Sequence, residues 1–261
     1  LFLEHRLRAL IPIPVGWSVL ADTPEGDKTY RTKSLVLATG GSTANVFRRL
    51  DYDRRLGINL KTSANPWGNN WDGADGDALD IGEKIGLKVT EGNGYQIVPF
   101  WGGRVLDYAG GDIYLNAEGE RFVDENLPWH KIVEVILGWP KTEFTVITDT
   151  QSEKGATLGV KLLSGIVKKA SSIREVAIGM GIPEEKLRKT LDEYNQSVEA
   201  GRDKFGKTVF TQRIEKPPFY WGKENIYVHT SLDGLKTDEE ARVLDKDGRV
   251  VPGLFAAGEV V

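Results

Sequence analysis

The stretch "SLVLATGG", Ser34 to Gly41, decides how the chain is read. Ser34 to Ala38 is a short apolar run of the kind buried on both faces of a parallel sheet. Thr39-Gly40-Gly41 then punctuates it with two residues that leave the backbone bare. Upstream, Trp17 to Ala21 reads as a strand, Thr23-Pro-Glu-Gly-Asp27 as a turn, and Thr29 to Lys33 as the returning strand. Before them, Leu3, Leu7 and Leu10 alternate with charges, as in a helix end or an exposed strand.

The same punctuation recurs at the far end, in "VVPGLFAAGEVV", Val250 to Val261. Pro252-Gly253 reads as a turn, Leu254 to Ala257 as a short buried strand, and Gly258-Glu259 as a second turn with a carboxylate beside it. Asp247-Gly248 is a hairpin signal just before it.

Between these ends the organisation changes. Residues 62–76, "TSANPWGNNWDGADG", read as loop, and a loop of this length in a compact domain is usually functional. Asp77 to Ile85 reads as a helix stopped by Gly86. Residues 87–123 are strand-like with glycine breaks, with a hairpin around Asn116 to Gly119. Phe144 to Asp149 is a strand, and helices are expected over about Glu153 to Ala170 and Pro183 to Ala200. In the second of these Pro183 opens the first turn and Gly201 closes the end. Strands return after "EKPPFYW", so one sheet-rich domain is interrupted by another.

Of the 261 residues, 40% are hydrophobic and 28% charged, enough for a sizeable core. With 34 basic against 38 acidic residues the net charge is -4, which gives no footprint for nucleic acid. There are no cysteines, so disulfides, thiol catalysis and cysteine-held metals are excluded within the chain. No zinc, calcium or P-loop signature is present. No apolar run approaches the ~20 residues of a membrane span. The expected setting is soluble, cytoplasmic or periplasmic. The only methionine is Met180, and the chain opens on Leu1.

Taken in order, "SLVLATGG", "GDIYLNAEGERFVDE" (Gly111 to Glu125) and "DGLKTDEEARVLDKDGRVVPGLFAAGE" (Asp233 to Glu259) resemble the FAD-dependent fumarate reductase and succinate dehydrogenase flavoprotein superfamily. "GADGDAL", Gly73 to Leu79, resembles a fourth element of that family. The resemblance implies α/β and α+β structure: a partial FAD-binding α/β domain interrupted by an α+β capping domain. The implied boundaries are 1–93 for the FAD-binding part, 94–228 for the capping domain and 229–261 for the return. It also implies an internal piece of a longer flavoprotein, because the G-x-G-x-x-G unit that holds the ADP half of FAD does not occur in these residues. The chain alone is therefore expected to hold FAD only weakly.

On the family pattern, Ala38, Thr39, Gly40 and Gly41 would set bare backbone against FAD. Glu259 would accept hydrogen bonds from its sugar hydroxyls. Asp75, Gly76 and Asp77 would pass the flavin; the alternative is that Asp75 or Asp77 caps the following helix. His229 and Thr230 stand where the family has a histidine-threonine pair beside flavin and substrate. Arg121 is expected to pair with Glu125 or Asp124 in a structural role.

The departures bear on the substrate. Val98-Pro99-Phe100 replaces histidine-proline-threonine. The Val105 to Tyr108 region has no acid–arginine pair for proton delivery. Asn126-Leu127-Pro128-Trp129 has no arginine. A dicarboxylate needs cationic partners for both ends, so fumarate is disfavoured. Aromatic residues stand instead: Tyr95, Phe100, Trp101, Tyr108 and Trp129, either as capping-domain core or as a flat pocket over the flavin. Tyr95 and Tyr108 are the candidate proton-transfer residues, with His229 as a third. The expected activity is hydride transfer at a C–C bond next to a carbonyl or carboxyl group of a small molecule, with an unidentified electron partner. The alternative is a catalytically incompetent piece or a non-enzymatic binding module.

Overall fold

The computed structural model describes residues 2–65, 73–90, 92, 94–99 and 102–261. Phe100 and Trp101, and residues 66–72 of the long loop, lie outside the described residues. The chain forms two compact units, Leu1–Gln96 with Val228–Val261, and Ile97–Tyr227.

The first unit opens with an antiparallel meander, β1 (Arg6–Pro12), β2 (Trp17–Asp22) and β3 (Lys28–Thr32). So the charged N-terminal segment is a strand and not a helix end. β4 (Leu35–Leu37) follows, then α1 (Val46–Tyr52), α2 (Asp77–Ile85) and β5 (Tyr95–Val98).

The middle of the chain builds the second unit. It holds β6 (Ile113–Leu115), α3 (Trp129–Leu137), β7 (Glu143–Thr148), α4 (Leu158–Leu163) and β8 (Val167–Ala170). It continues with α5 (Ile173–Met180), α6 (Glu184–Ala200) and β9 (Phe219–Asn225). β10 (Tyr227–Ser231), β11 (Arg242–Leu244) and β12 (Val250–Ala256) bring the chain back to the first unit.

In the first unit, β11, β12 and β4 form one sheet, and β4 runs parallel to β12, with Leu35, Val36 and Leu37 opposite Leu254, Phe255 and Ala256. The sequence reading expects β4 to be buried on both faces; instead Val36 is 60% exposed while Leu37 is buried. β4 is the edge strand of a three-stranded sheet, and only its Leu37 side joins a core. That core unites Leu10, Trp17, Leu37, Leu79, Leu254 and Val260. α2 supplies Ala78, Leu79 and Ile81 to it and turns its acids outward; it ends at Gly86, whose φ of 87° only glycine adopts readily.

Pro252-Gly253, expected as a turn, lies inside β12. Gly253 takes a φ of 69°, and the β11–β12 register shifts across this stretch, so the pair makes a bulge that leaves the strand unbroken. Trp17 secures it by donating Nε1–H to the Pro252 carbonyl at 3.2 Å. Asp247-Gly248 does close the β11–β12 hairpin, with the Gly248 N–H on the Asp245 carbonyl at 2.9 Å.

The second unit is an antiparallel sheet in the order β6-β7-β9-β8. α5 and α6 pack on it through Val176, Ala177, Leu187, Leu191 and Tyr194. α6 matches its expected limits, from the Pro183 cap to Gly201 in the left-handed region. The helix expected over 153–170 is wrong in most of its length. Only Leu158–Leu163 is helical, Gly165 turns the chain at φ 74°, and Val167–Ala170 pairs with β9 as a strand. The apolar spacing there serves strand pairing as well as a helix face, and the three glycines tip the balance.

Candidate cofactor site

β4 and β12 are adjacent and parallel, so the loops that leave their C-terminal ends emerge side by side. These loops are Ala38–Gly41 and Ala257–Glu259, joined where the Ala257 N–H meets the Leu37 carbonyl at 3.0 Å. In open α/β sheets, ligands bind outside the carboxyl ends of such strands. Ala38 and Thr39 are exposed, Gly40 has a φ of 77°, and Gly41 is buried.

Gly41 is buried because side chains crowd it. A Cβ there would overlap Ser231 Oγ and come 2.5 Å from Glu259 Oε1. Glu259 is half-buried and held: Oε1 accepts the Ser231 N–H at 2.7 Å and the Ser231 hydroxyl at 3.1 Å. Oε2 has no hydrogen-bond partner among the described residues. Ser42, the residue after the glycine pair, donates its N–H to Ser231 Oγ at 3.1 Å. Its own hydroxyl lies 3.1 Å from the Tyr95 hydroxyl.

The Gly73–Asp77 turn docks on the same loop. The Gly76 N–H donates to the Gly41 carbonyl and the Ala44 N–H to the Ala74 carbonyl, both at 3.0 Å, and Asn45 Nδ2 donates to the Asp75 carbonyl at 2.9 Å. Neither Asp75 nor Asp77 caps α2 with its side chain. The cap is Gly76 in the left-handed region, and Asp77 is the first helical residue. Arg6 forks onto Asp77 at 2.8 and 2.8 Å and reaches Asp75 at 3.2 Å. Gly41, Asp75, Gly76, Asp77, Tyr95 and Glu259 are thus brought together through Ser42, Asn45 and Ser231, which sequence reading did not single out.

On β10, His229 is exposed and its Nδ1 lies 2.8 Å from Ser63 Oγ. Thr230, half-buried, turns its hydroxyl to the Ser231 carbonyl at 3.3 Å. Tyr95 packs edge-on against Tyr52, and burial raises its hydroxyl pKa against the pull of Ser42.

Tyr108 belongs to the second unit. It packs against Val105, Leu106 and Val167, and its hydroxyl accepts the Glu153 N–H at 3.1 Å. Trp129 opens α3 there and is 43% exposed. An acid–arginine pair does stand beside Tyr108, formed by residues eight apart: Arg104 Nε donates to Asp112 at 3.1 Å, and its Nη2 to the Tyr108 carbonyl at 2.9 Å. Arg121 pairs with Glu125 as expected.

Two carboxyls of this unit are unusual. Burial pushes Asp112 up to about 6, against the attraction of Arg104, and its Oδ1 is unpartnered among the described residues. Burial pushes Glu224 up to about 8, against the Asn225 N–H and the charges of Lys161 and Arg104. Glu224 is 2% exposed, and its Oε2 is likewise unpartnered. Its folded-state value lies above the ordinary 4.5, so the folded protein binds this proton more tightly than the unfolded chain. Its contribution to stability is complete below the unfolded value and is lost as pH rises toward about 8. Glu224→Gln should flatten the fall in unfolding free energy between about pH 5 and pH 8, by on the order of a few kcal/mol. Urea unfolding across that range checks this; parallel curves for the two proteins would refute it.

The residues at the ends of β4 and β12 fit FAD. Exposed Ala38 and Thr39 with left-handed Gly40 offer unobstructed backbone, Gly258 has a φ of 84°, and Glu259 presents an unpartnered oxygen suited to a hydroxyl. The family model for the FAD binding domain matches residues 15–261. The chain is 31% identical over 242 residues to an NADH:acrylate oxidoreductase of Vibrio harveyi, an alignment covering 87% of this chain and 24% of that protein. It is 29% identical over 247 residues to a urocanate reductase of Eggerthella lenta, covering 88% and 40%. A flavocytochrome c3 fumarate reductase in an open conformation superposes with a TM-score of 0.81 at 26% identity, over 98% of this chain and 46% of that one. The chain therefore spans about a quarter to a half of the proteins it matches, and it belongs to the FAD-binding-domain family, among the flavoproteins of the fumarate reductase type.

Proposed function

We propose that the protein is an FAD-dependent oxidoreductase acting at a carbon–carbon double bond next to a carboxyl or carbonyl group, with a substrate other than fumarate. The observation that carries this reading is the convergence of the Ala38–Gly41 loop, the Gly73–Asp77 turn and Glu259 beside the parallel pair β4–β12. The first unit is assigned the cofactor, and the second, inserted between its two halves, the substrate.

Bound FAD supplies the hydride chemistry. The chain's residues would hold and orient it: backbone at Ala38, Thr39, Gly40 and Gly41, the Asp75–Gly76–Asp77 turn, Glu259 as acceptor for sugar hydroxyls, with His229 and Thr230 as the candidates for the reacting part. Proton transfer is assigned to the Tyr95 hydroxyl, which lies 3.1 Å from the Ser42 hydroxyl beside the cofactor loop. Tyr108 and His229 are the other candidates. A substrate with a single carboxyl group suits the arginine-free Asn126–Trp129 stretch, and the relatives named for acrylate and urocanate act on acids of that kind. No helix among the described residues is long and apolar enough to cross a membrane. Titrating the full-length protein with FAD tests the reading: it should turn yellow at one FAD per chain, and an absence of saturable binding would refute it.

A further inference from the structure

We propose that Ser231 is a positioning residue of the cofactor site, acting through Glu259. The inference rests on the FAD reading above. Ser231 closes β10 and is 6% exposed. It donates twice to one carboxylate oxygen, from its backbone at 2.7 Å and from its hydroxyl at 3.1 Å. A single hydrogen bond would leave the carboxylate free to swing. Two donors from one residue onto Oε1 fix both the distance and the rotation of the group.

The direction of this small network is set by donor count. A serine hydroxyl has one hydrogen, and here it points at Glu259. The lone pair left on Ser231 Oγ is then the acceptor for the Ser42 N–H at 3.1 Å. Ser42 is 2% exposed and immediately follows the glycine pair of the cofactor loop, so the loop itself holds the Ser231 rotamer. Gly41 completes the arrangement, because any side chain there would occupy the space of Ser231 Oγ and Glu259 Oε1. With Oε1 committed inward, Oε2 is the oxygen presented to a ligand. Ser231 thereby sets which carboxylate oxygen is left for a sugar hydroxyl.

A double-mutant cycle on the full-length protein tests this, read as FAD affinity by quenching of flavin fluorescence. Ser231→Ala and Glu259→Ala should each weaken FAD by about tenfold or more, as expected for a lost hydrogen bond to a charged group. The double variant should bind no more weakly than Glu259→Ala alone. A merely structural serine would give multiplicative losses, which would overturn the proposal. So would wild-type affinity in Ser231→Ala. If the wild-type protein binds no FAD, the functional reading fails and not this coupling. Should Ser231→Ala not fold, hydrogen exchange carries the test: Glu259→Ala should speed exchange of the Ser231 amide, and unchanged exchange would overturn the proposal.

Discussion

Arg121→Ala should destabilise the second unit by about 3–5 kcal/mol, the cost of breaking a buried ion pair by removing one partner. The Arg121 side chain is 6% exposed and forks onto Glu125 at 2.8 and 2.8 Å. It also meets Asp203 at 2.8 Å and lies over the rings of Tyr194 and Phe205. The Glu125 side chain is wholly buried, and its Oε2, which Arg121 Nη2 also reaches, accepts at 2.8 Å from the Nζ of Lys207, itself wholly buried. Two cations therefore balance two anions inside one core. Removing Arg121 leaves Asp203 and part of Glu125 uncompensated where water cannot replace the charge. Arg188→Ala, which breaks an exposed pair with Glu184 on α6, should cost under about 1 kcal/mol. Urea unfolding of the two variants side by side measures the contrast. Equal small losses would show that the buried cluster does not hold the unit together.

Gly41→Ala should leave the fold largely intact and weaken FAD binding by about 10- to 100-fold, the worth of one or two displaced hydrogen bonds. The new methyl group would overlap Ser231 Oγ and approach Glu259 Oε1 to 2.5 Å. Both are side-chain ends that can rotate, so the backbone need not move. Their rotation breaks the bonds that aim the carboxylate. Gly41 is not among the positive-φ glycines, so alanine meets no backbone strain there. Isothermal titration with FAD, alongside the thermal midpoint of each protein, separates the two effects. A large fall in the midpoint with unchanged affinity would contradict the assignment.

What could be read from the sequence follows from how local each signal is. α2 and α6 were legible because their stops are glycines in the left-handed region and their apolar residues recur at helical spacing. The Arg121–Glu125 pair was legible because its members stand at i and i+4, directly after the Asn116–Gly119 hairpin turn. Val167–Ala170 was not, since its strand character comes from pairing with β9, some fifty residues away. Pro252-Gly253 misled because a bulge and a turn use the same residues. Ser42 and Ser231 carried no signal at all. They lie 189 residues apart and matter only because the fold brings β10 against the loop after β4. Arg104 and Asp112 were likewise joined by the fold, not by a motif.

The central claim is that FAD is held at the C-terminal ends of β4 and β12. Amide hydrogen exchange of the full-length protein, with and without FAD, tests it most directly. Exchange should slow at Thr39–Gly41, around Gly73–Asp77, at Thr230–Ser231 and at Ala257–Glu259, with α6 unchanged. Saturable FAD binding with protection confined to other segments would contradict it.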